Sequence, residues 1–206
     1  MLLVFIFFSY LVAKELFTQF DFNTTVKFQD KISHRFDSPF SILSILGSAE
    51  ISMTIWIMLS VYLVLRKFWL SFFSMALLPF ALVTELFGKV YLYHPGPPFM
   101  FYRGTIDFDF PSSHIQTEFS YPSGHMIRTT FISSFILFYI LLRGKKNIKP
   151  ISIPITAAFI IIMSISRIYL AEHWTTDVIG GILIGISAAL LSASTLPQAK
   201  SKTEET

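Results

Sequence analysis

His173 and Asp177 stand four positions apart in a stretch that otherwise has the pattern of an apolar helix. Side chains four residues apart share one face of a helix, about one turn from each other. An aspartate so placed can accept the proton of one imidazole nitrogen, which leaves the other nitrogen free as a nucleophile or base. A structural cap at the start of the helix explains this pair, taken alone, equally well.

A second polar group lies where a long loop becomes a helix, in the string Tyr121, Pro122, Ser123, Gly124, His125. Proline and serine favour a helix start, where exposed backbone N–H groups bind anions. The Ser123 hydroxyl adds a donor and Gly124 leaves the backbone open. His125 lies beside this cradle and could protonate a leaving oxygen. An ordinary helix cap also explains the string alone.

Fixed cations form the third group, with Lys89 and Arg167 at the ends of two predicted helices. Phosphoryl transfer spreads negative charge over three oxygens, and cations with backbone donors stabilise it. Each cation alone could equally extend to the membrane interface. Glu85, one turn before Lys89, is predicted to orient or neutralise it. His94 and His114 are lone loop histidines and are left outside the predicted site.

The elements that carry these residues belong to a membrane protein. Of the 206 residues, 53% are hydrophobic and 14% are charged, which is too apolar for a water-soluble fold. A membrane helix needs about 20 apolar residues. Six stretches qualify: about 1–20, 41–65, 68–88, 124–142, 150–167 and 174–195. We therefore predict an all-α, polytopic membrane protein with six transmembrane helices, in which residues 1–206 form a single domain ending in a polar tail at 197–206.

Basic residues predict the orientation of these spans. They follow spans two, four and six, at Arg66, Lys67, Arg143, Lys145, Lys146, Lys149, Lys200 and Lys202. The positive-inside tendency makes that side cytoplasmic, so the predicted site faces the non-cytoplasmic side of the cell membrane. Lys27, Lys31 and Arg35 in the first opposite loop weigh against this orientation.

The same composition excludes several functions. The formal net charge is only +3 and the basic residues form short clusters beside the spans, which argues against binding to nucleic acid. The chain has no cysteine, so a thiolate metal site or a cysteine nucleophile is excluded. The expected partners are the lipid bilayer and a membrane lipid phosphate substrate.

In combination, the three groups resemble the type 2 phosphatidic acid phosphatase superfamily of membrane lipid phosphatases. The third motif of that family is Ser-Arg, five residues, His, three residues, Asp. It is matched at this spacing by Ser166, Arg167, His173 and Asp177. The second motif, Pro-Ser-Gly-His, is present at 122–125. Two complete motifs in the right order make the resemblance specific over residues 85–185.

The resemblance implies a role for each matched residue. His173 is the expected nucleophile, which forms a phosphohistidine, with Asp177 as its orienting partner and His125 as the acid for the leaving group. The expected phosphate-binding residues are Lys89, Ser123, Gly124 and Arg167. The family scheme implies no metal and no cofactor.

The first motif is incomplete. The family has Lys, six residues, Arg-Pro, whereas Lys89 is followed at that spacing by Gly96 and Pro97. Glycine offers only a backbone donor where the family places a bidentate cation. Either of two arginines could replace it. Arg128 shares a helix face with His125, and Arg103 lies in the loop and could fold over the site.

The predicted function is metal-independent hydrolysis of a lipid phosphate monoester or diphosphate. The head group would be of the undecaprenyl diphosphate, phosphatidylglycerol phosphate or phosphatidic acid type. One alternative is a non-catalytic lipid-phosphate binder or transporter on the same scaffold, which the incomplete first motif keeps open. Another is an intramembrane serine hydrolase using Ser123 with His173 as base, although so many cations would not serve a protease.

Overall fold

The computed structural model describes residues 1–106, 110–111 and 117–197, and these residues fold into α-helices joined by loops and short 3-10 turns. The helices are α1 Leu2–Ala13, α2 Thr18–Lys31, α3 Asp37–Leu46, α4 Ala49–Leu65, α5 Trp69–Ser74, α6 Leu77–Tyr91, α7 Gly124–Arg143, α8 Lys149–Tyr169 and α9 Thr175–Ala193. The prediction of an all-α fold is confirmed. His114, Lys200, Lys202 and most of the predicted polar tail lie outside the described residues.

Four helical stretches are long and apolar enough to cross a membrane: Trp69–Tyr91, which joins α5 and α6, and then α7, α8 and α9. Two further pairs qualify only if each bent pair counts as one span. They are α1 with α2, bent by 94°, and His34–Leu46 with α4, bent by 42°. The described residues therefore form a membrane protein with four to six spans.

The chain departs from the predicted first span, 1–20, at its charged residues. Helix α1 ends at Ala13, and Glu15 then adopts a left-handed backbone with φ of 57°. Charged side chains are costly inside a bilayer, and a left-handed residue ends an α-helix. Helix α2 therefore starts in a new direction at Thr18 and occupies much of what the sequence predicted as a loop over 21–40.

Helices α3 and α4 meet at a break that contacts the predicted site. Ser48 caps α4 by accepting a hydrogen bond from the Ile51 N–H at 3.3 Å. Gly47 lies at the corner, where an added Cβ would be 3.0 Å from Cδ2 of His125 and 3.2 Å from the Thr129 hydroxyl oxygen. The missing side chain lets this corner approach the start of α7 closely.

Helices α7 and α9 pack along two glycines at the centre of the protein. A Cβ at Gly181 would lie 2.6 Å from the Ser123 carbonyl oxygen, and one at Gly185 would lie 2.8 Å from that of Ile127. Both distances are shorter than a van der Waals contact allows, so hydrogen is the largest substituent that fits. Small residues of this kind let membrane helices approach closely.

Valine at position 181 should force α7 and α9 apart, because its side chain would overlap the backbone of α7. We expect Gly181→Val to lower the thermal unfolding temperature in detergent, corresponding to a loss of about 1–3 kcal/mol or more. Leu190→Val is the matched control, since it places the same residue in α9 at a position that is 41% exposed. Equal unfolding temperatures for the two variants would contradict the close contact.

Candidate active site

The turn between α8 and α9 places Arg167 and His173 at one end of the bundle. The N–H groups of Glu172 and His173 both donate to the Arg167 carbonyl oxygen, at 3.1 and 3.3 Å. Ala171 closes the turn with a left-handed backbone, φ 54°. The five residues between Arg167 and His173 in the third motif thus form a tight turn, which brings His173 back beside Arg167.

Asp177 combines the two roles that the sequence left open. Its Oδ2 accepts a hydrogen bond from the Trp174 N–H at 2.9 Å, which caps α9, and lies 3.4 Å from Nδ1 of His173. The Asp177 side chain is fully buried. A proton on Nδ1 would face this carboxylate and leave the Nε2 lone pair of His173 free.

The start of α7 is tied to the start of α9. Ser123 caps α7 by accepting from the Met126 N–H at 3.4 Å, and its own N–H donates to the Asp177 carbonyl oxygen at 3.0 Å. As a result the rings of His125 and His173 lie opposite each other, with centroids 6.3 Å apart and ring planes inclined at 60°. Ser123 is fully buried in this arrangement, so its contact with a phosphate stays a prediction.

Glu85 lies between two cationic side chains beside the start of α7. Its carboxylate lies 2.7 Å from Nζ of Lys89 and 3.7 Å from Nη1 of Arg128. A Cβ at Gly124 would be 2.0 Å from Oε1 of Glu85, so the carboxylate occupies the space that any larger residue at 124 would need. Gly124 therefore permits the ion pairs as well as leaving the backbone open.

Arg167 is fully buried beside the two histidines. Its Nη1 donates to Oε2 of Glu172 and its Nε to the Ser166 hydroxyl at 3.5 Å, whereas Nη2 has no hydrogen-bond partner among the described residues. A buried N–H without an acceptor is costly, so this atom is suited to an anionic ligand. The charges that act most strongly on His125 are those of Arg167, Arg128, His173 and Lys89.

The two arginines considered as replacements for the first-motif arginine have different surroundings. Arg128 donates from Nη2 to the Gly47 carbonyl oxygen at 3.2 Å, and its buried Nε has no partner among the described residues. Arg103 donates from Nη1 to the Gln29 carbonyl oxygen and to the Tyr169 hydroxyl, and its guanidinium lies over the Tyr169 ring. Arg128 thus lies beside His125, whereas these contacts hold Arg103 against α2 and α8.

His94, which was left outside the site predicted from the sequence, lies beside that site in the structure. Nε2 of His94 lies 3.3 Å from Oδ1 of Asp177, on the side of that carboxylate away from His173. Asp21 was missed as well: its carboxylate accepts from the Thr176 N–H and hydroxyl, at 2.9 and 2.7 Å. The one signal for His94 in the sequence was its place within the first motif, between Lys89 and Gly96.

Within residues 1–106, 110–111 and 117–197, no group of three or more His, Cys, Asp or Glu side chains could hold a metal ion. The candidate site in this part of the chain combines histidines, fixed cations and carboxylates that pair with them.

A family model described as the PAP2 superfamily matches residues 67–201, which is more than half of the chain and includes all three motif regions. The chain belongs to the PAP2 superfamily. The resemblance inferred from the motifs is thereby confirmed, and the residues predicted for the site all lie within the matched region.

Individual relatives agree with this membership. Phosphatidylglycerophosphatase B of Bacillus subtilis (strain 168) is 30% identical over 80 residues. That stretch is 38% of this chain and 39% of the relative, so well under half of the relative is matched.

Two solved structures share the fold. The crystal structure of the first transmembrane PAP2 type phosphatidylglycerolphosphate phosphatase from Bacillus subtilis has a TM-score of 0.75 at 18% identity, over 94% of this chain and 92% of that one. The crystal structure of Aquifex aeolicus LpxE has a TM-score of 0.58 at 20% identity, over 85% and 95%. At these identities the comparison establishes the PAP2 fold.

Glu85→Gln should destabilise the protein, because it leaves Lys89 and Arg128 close together without their shared carboxylate. We expect a lower thermal unfolding temperature, corresponding to about 3 kcal/mol or more. Added inorganic phosphate should recover part of the loss, since an anion between the cations replaces the carboxylate charge. The control is Glu118→Gln, at an exposed acidic position in the loop before α7. An unchanged unfolding temperature of Glu85→Gln would show that the ion pairs of Glu85 with Lys89 and Arg128 contribute no stability.

Proposed function

We propose that this protein hydrolyses the phosphate monoester or diphosphate head group of a membrane lipid, without a metal ion. The observation that carries the proposal is the pair of histidines whose rings face each other with centroids 6.3 Å apart, one of them backed by Asp177. Both rings are close enough to contact one phosphoryl group, from opposite sides of the bond that breaks. Membership in the PAP2 superfamily supports the same chemistry.

In the first step, Nε2 of His173 attacks phosphorus while Asp177 holds the proton on Nδ1. A P–N bond forms and the P–O bond to the lipid breaks, with its electron pair moving to the leaving oxygen. His125 gives that oxygen a proton. The products are a phosphohistidine and the lipid bearing a free hydroxyl, or a lipid monophosphate when the substrate is a diphosphate.

In the second step, water attacks the phosphorus of the phosphohistidine and His125 takes a proton from it. The P–N bond breaks and its electron pair returns to Nε2 of His173. Inorganic phosphate leaves, and both histidines regain their starting protonation. The catalytic set, His173, His125 and Asp177, therefore suffices for a complete cycle.

The phosphate oxygens need positive charge throughout this cycle. Lys89 and Arg167 supply it, together with the N-terminus of α7 at Ser123 and Gly124. Of the two candidate replacements for the first-motif arginine, Arg128 fits better. Its positive charge lies close enough to act on His125, and its buried Nε has no hydrogen-bond partner among the described residues.

A groove beside the site suits the lipid tail. A cavity of about 280 Å³ lies between α4, α7 and α8, lined mainly by apolar side chains that include Ile136, Ile155 and Phe159. One of its lining residues is Thr129, which lies one helical turn after His125. A lipid whose phosphate lies between the histidines would therefore place its first methylene groups in this groove.

The predicted orientation and substrate class complete the proposal. The site would face the non-cytoplasmic side, as the basic residues after the even-numbered spans indicate. Phosphatidylglycerol phosphate is the first substrate to test, because the similar sequence and the similar structure from Bacillus subtilis are both named as phosphatases of that lipid. Undecaprenyl diphosphate and phosphatidic acid carry head groups that the same site could accept.

Phosphate release by the purified protein in detergent with chelator, across these three lipids, tests the proposal. We expect release from at least one lipid by the wild type and a loss of at least about 10³-fold in His173→Ala, because the nucleophile is gone. A ³²P-labelled lipid should label the wild-type protein transiently and leave His173→Ala unlabelled. Binding of the lipids without phosphate release would favour the binder or transporter alternative.

The same assay with His125→Ala tests whether His125 donates the proton to the leaving group. Its rate should fall by about 10²–10⁴-fold on a monoester, whose alkoxide needs a proton, and by clearly less on a diphosphate, whose leaving group is already acidic. Equal losses on both lipids would argue against proton donation by His125.

Tryptophan at position 155 should block the groove, because the larger side chain fills space that the lipid tail needs. We expect Ile155→Trp to reduce phosphate release from a long-chain lipid by about tenfold or more, at unchanged hydrolysis of a water-soluble aryl phosphate. Ile153→Trp is the matched control, since its exposed side chain lies on about the opposite face of α8. A parallel loss on both substrates would point to disturbed folding instead.

A further inference from the structure

Asp177 contacts a histidine on each side. Its Oδ2 approaches His173, whereas its Oδ1 lies 3.3 Å from Nε2 of His94. Oδ1 is buried and accepts no aligned hydrogen bond from the described residues, so the contact with His94 has the character of an ion pair. A carboxylate oxygen without such a bond needs a nearby positive charge to remain ionised inside a protein.

His94 itself is enclosed by acidic and polar groups. Its Nε2 lies 3.1 Å from the Thr176 hydroxyl and 3.9 Å from Oδ2 of Asp21. That hydroxyl donates to Asp21, so its oxygen is free to accept from a proton on Nε2. The edge of the His94 ring faces the Tyr121 ring, with centroids 6.1 Å apart, and the backbone of His94 is fixed through its carbonyl oxygen by Ser120.

The charges that face His94 come from three elements. Asp21 lies on α2, Glu15 lies in the turn before it, and Asp177 lies on α9. Burial lowers the pKa of His94, but the contact with Asp177 and the negative charges of all three carboxylates outweigh burial and raise that pKa above its usual value. His94 therefore keeps its proton to higher pH than an ordinary histidine.

We propose that His94 is a positioning residue for the reaction: it holds the second oxygen of Asp177 and places a positive charge there, which keeps the first oxygen directed at His173. The proposal rests on the proposed function, because it assigns His173 as the nucleophile. It assigns a role to a residue that is not one of the defining positions of the three motifs and that lies in the loop between α6 and α7.

The charge on His94 has a predictable effect on catalysis. A second proton on His173 would occupy the nitrogen that attacks phosphorus, so the protonated form is inactive. A cation on the other side of the shared carboxylate should disfavour that second proton by Coulomb repulsion. Loss of the charge should move the acid limb of the pH–rate profile upward, by about one pH unit for charges separated by the width of a carboxylate.

Three variants test the proposal through the pH dependence of kcat/KM for phosphate release. His94→Gln keeps a donor of similar reach without the charge, and His94→Lys keeps a charge without the imidazole. His34→Gln is the matched control, because His34 also pairs with an aspartate, Asp37, at 3.1 Å, but is 75% exposed. We expect the acid limb to move up by about one unit in His94→Gln and to stay within about 0.3 units of wild type in His94→Lys and His34→Gln.

On the alkaline side, His94→Gln should keep kcat/KM within about fivefold of wild type, because the nucleophile itself is intact. An unmoved acid limb in His94→Gln would overturn the proposal. So would a loss that is uniform across pH and accompanies a lower unfolding temperature, or a failure of both His94 variants to fold, since either marks a purely structural residue. Failure of the proposed function is distinct: the wild type would then release no phosphate, or His173→Ala would remain active.

Discussion

The site depends on how closely α7 and α9 approach each other. Lipid tails are as apolar as the helix surfaces, so the hydrophobic effect does not hold helices together within a bilayer, and close packing and hydrogen bonds must do so. Gly181 provides the closest approach, with the Ser123 carbonyl oxygen where its side chain would be. The bond from the Ser123 N–H to the Asp177 carbonyl then aligns the two helix starts. The facing imidazoles of His125 and His173 follow from this alignment.

Charge is the second constraint, because ionised side chains at membrane depth are costly unless they are paired. Each buried or nearly buried carboxylate of the site has its own set of partners. Asp177 lies between two histidines, Glu85 between Lys89 and Arg128, and Asp21 against the start of α9. Such pairing lets several cations converge where a phosphate would bind, without mutual repulsion opening the bundle.

Much of this arrangement could be predicted from local sequence. The motifs lie at helix starts and in a tight turn, so their spacing alone indicates which side chains share a face, and His173 and Asp177 were paired on that basis. Contacts between distant segments carry no such signal. His94 was taken as a lone loop histidine, because its relation to Asp177 exists only after the loop folds over α9. The turn at Glu15 was missed because Lys14 and Glu15 mark an interruption of the apolar stretch, whereas the change of backbone direction there has no signal of its own in the sequence.

The contact of Asp21 with Thr176 joins residues 155 positions apart in the chain. During synthesis the N-terminal segments emerge first, and α9 leaves the ribosome after α1 to α8. Until then Asp21 has neither the Thr176 N–H nor its hydroxyl as a partner, and Asp177 has not joined the candidate site. The order of synthesis thus keeps the candidate site incomplete while the earlier helices enter the membrane, and it is α9 that brings the side chains of the site together.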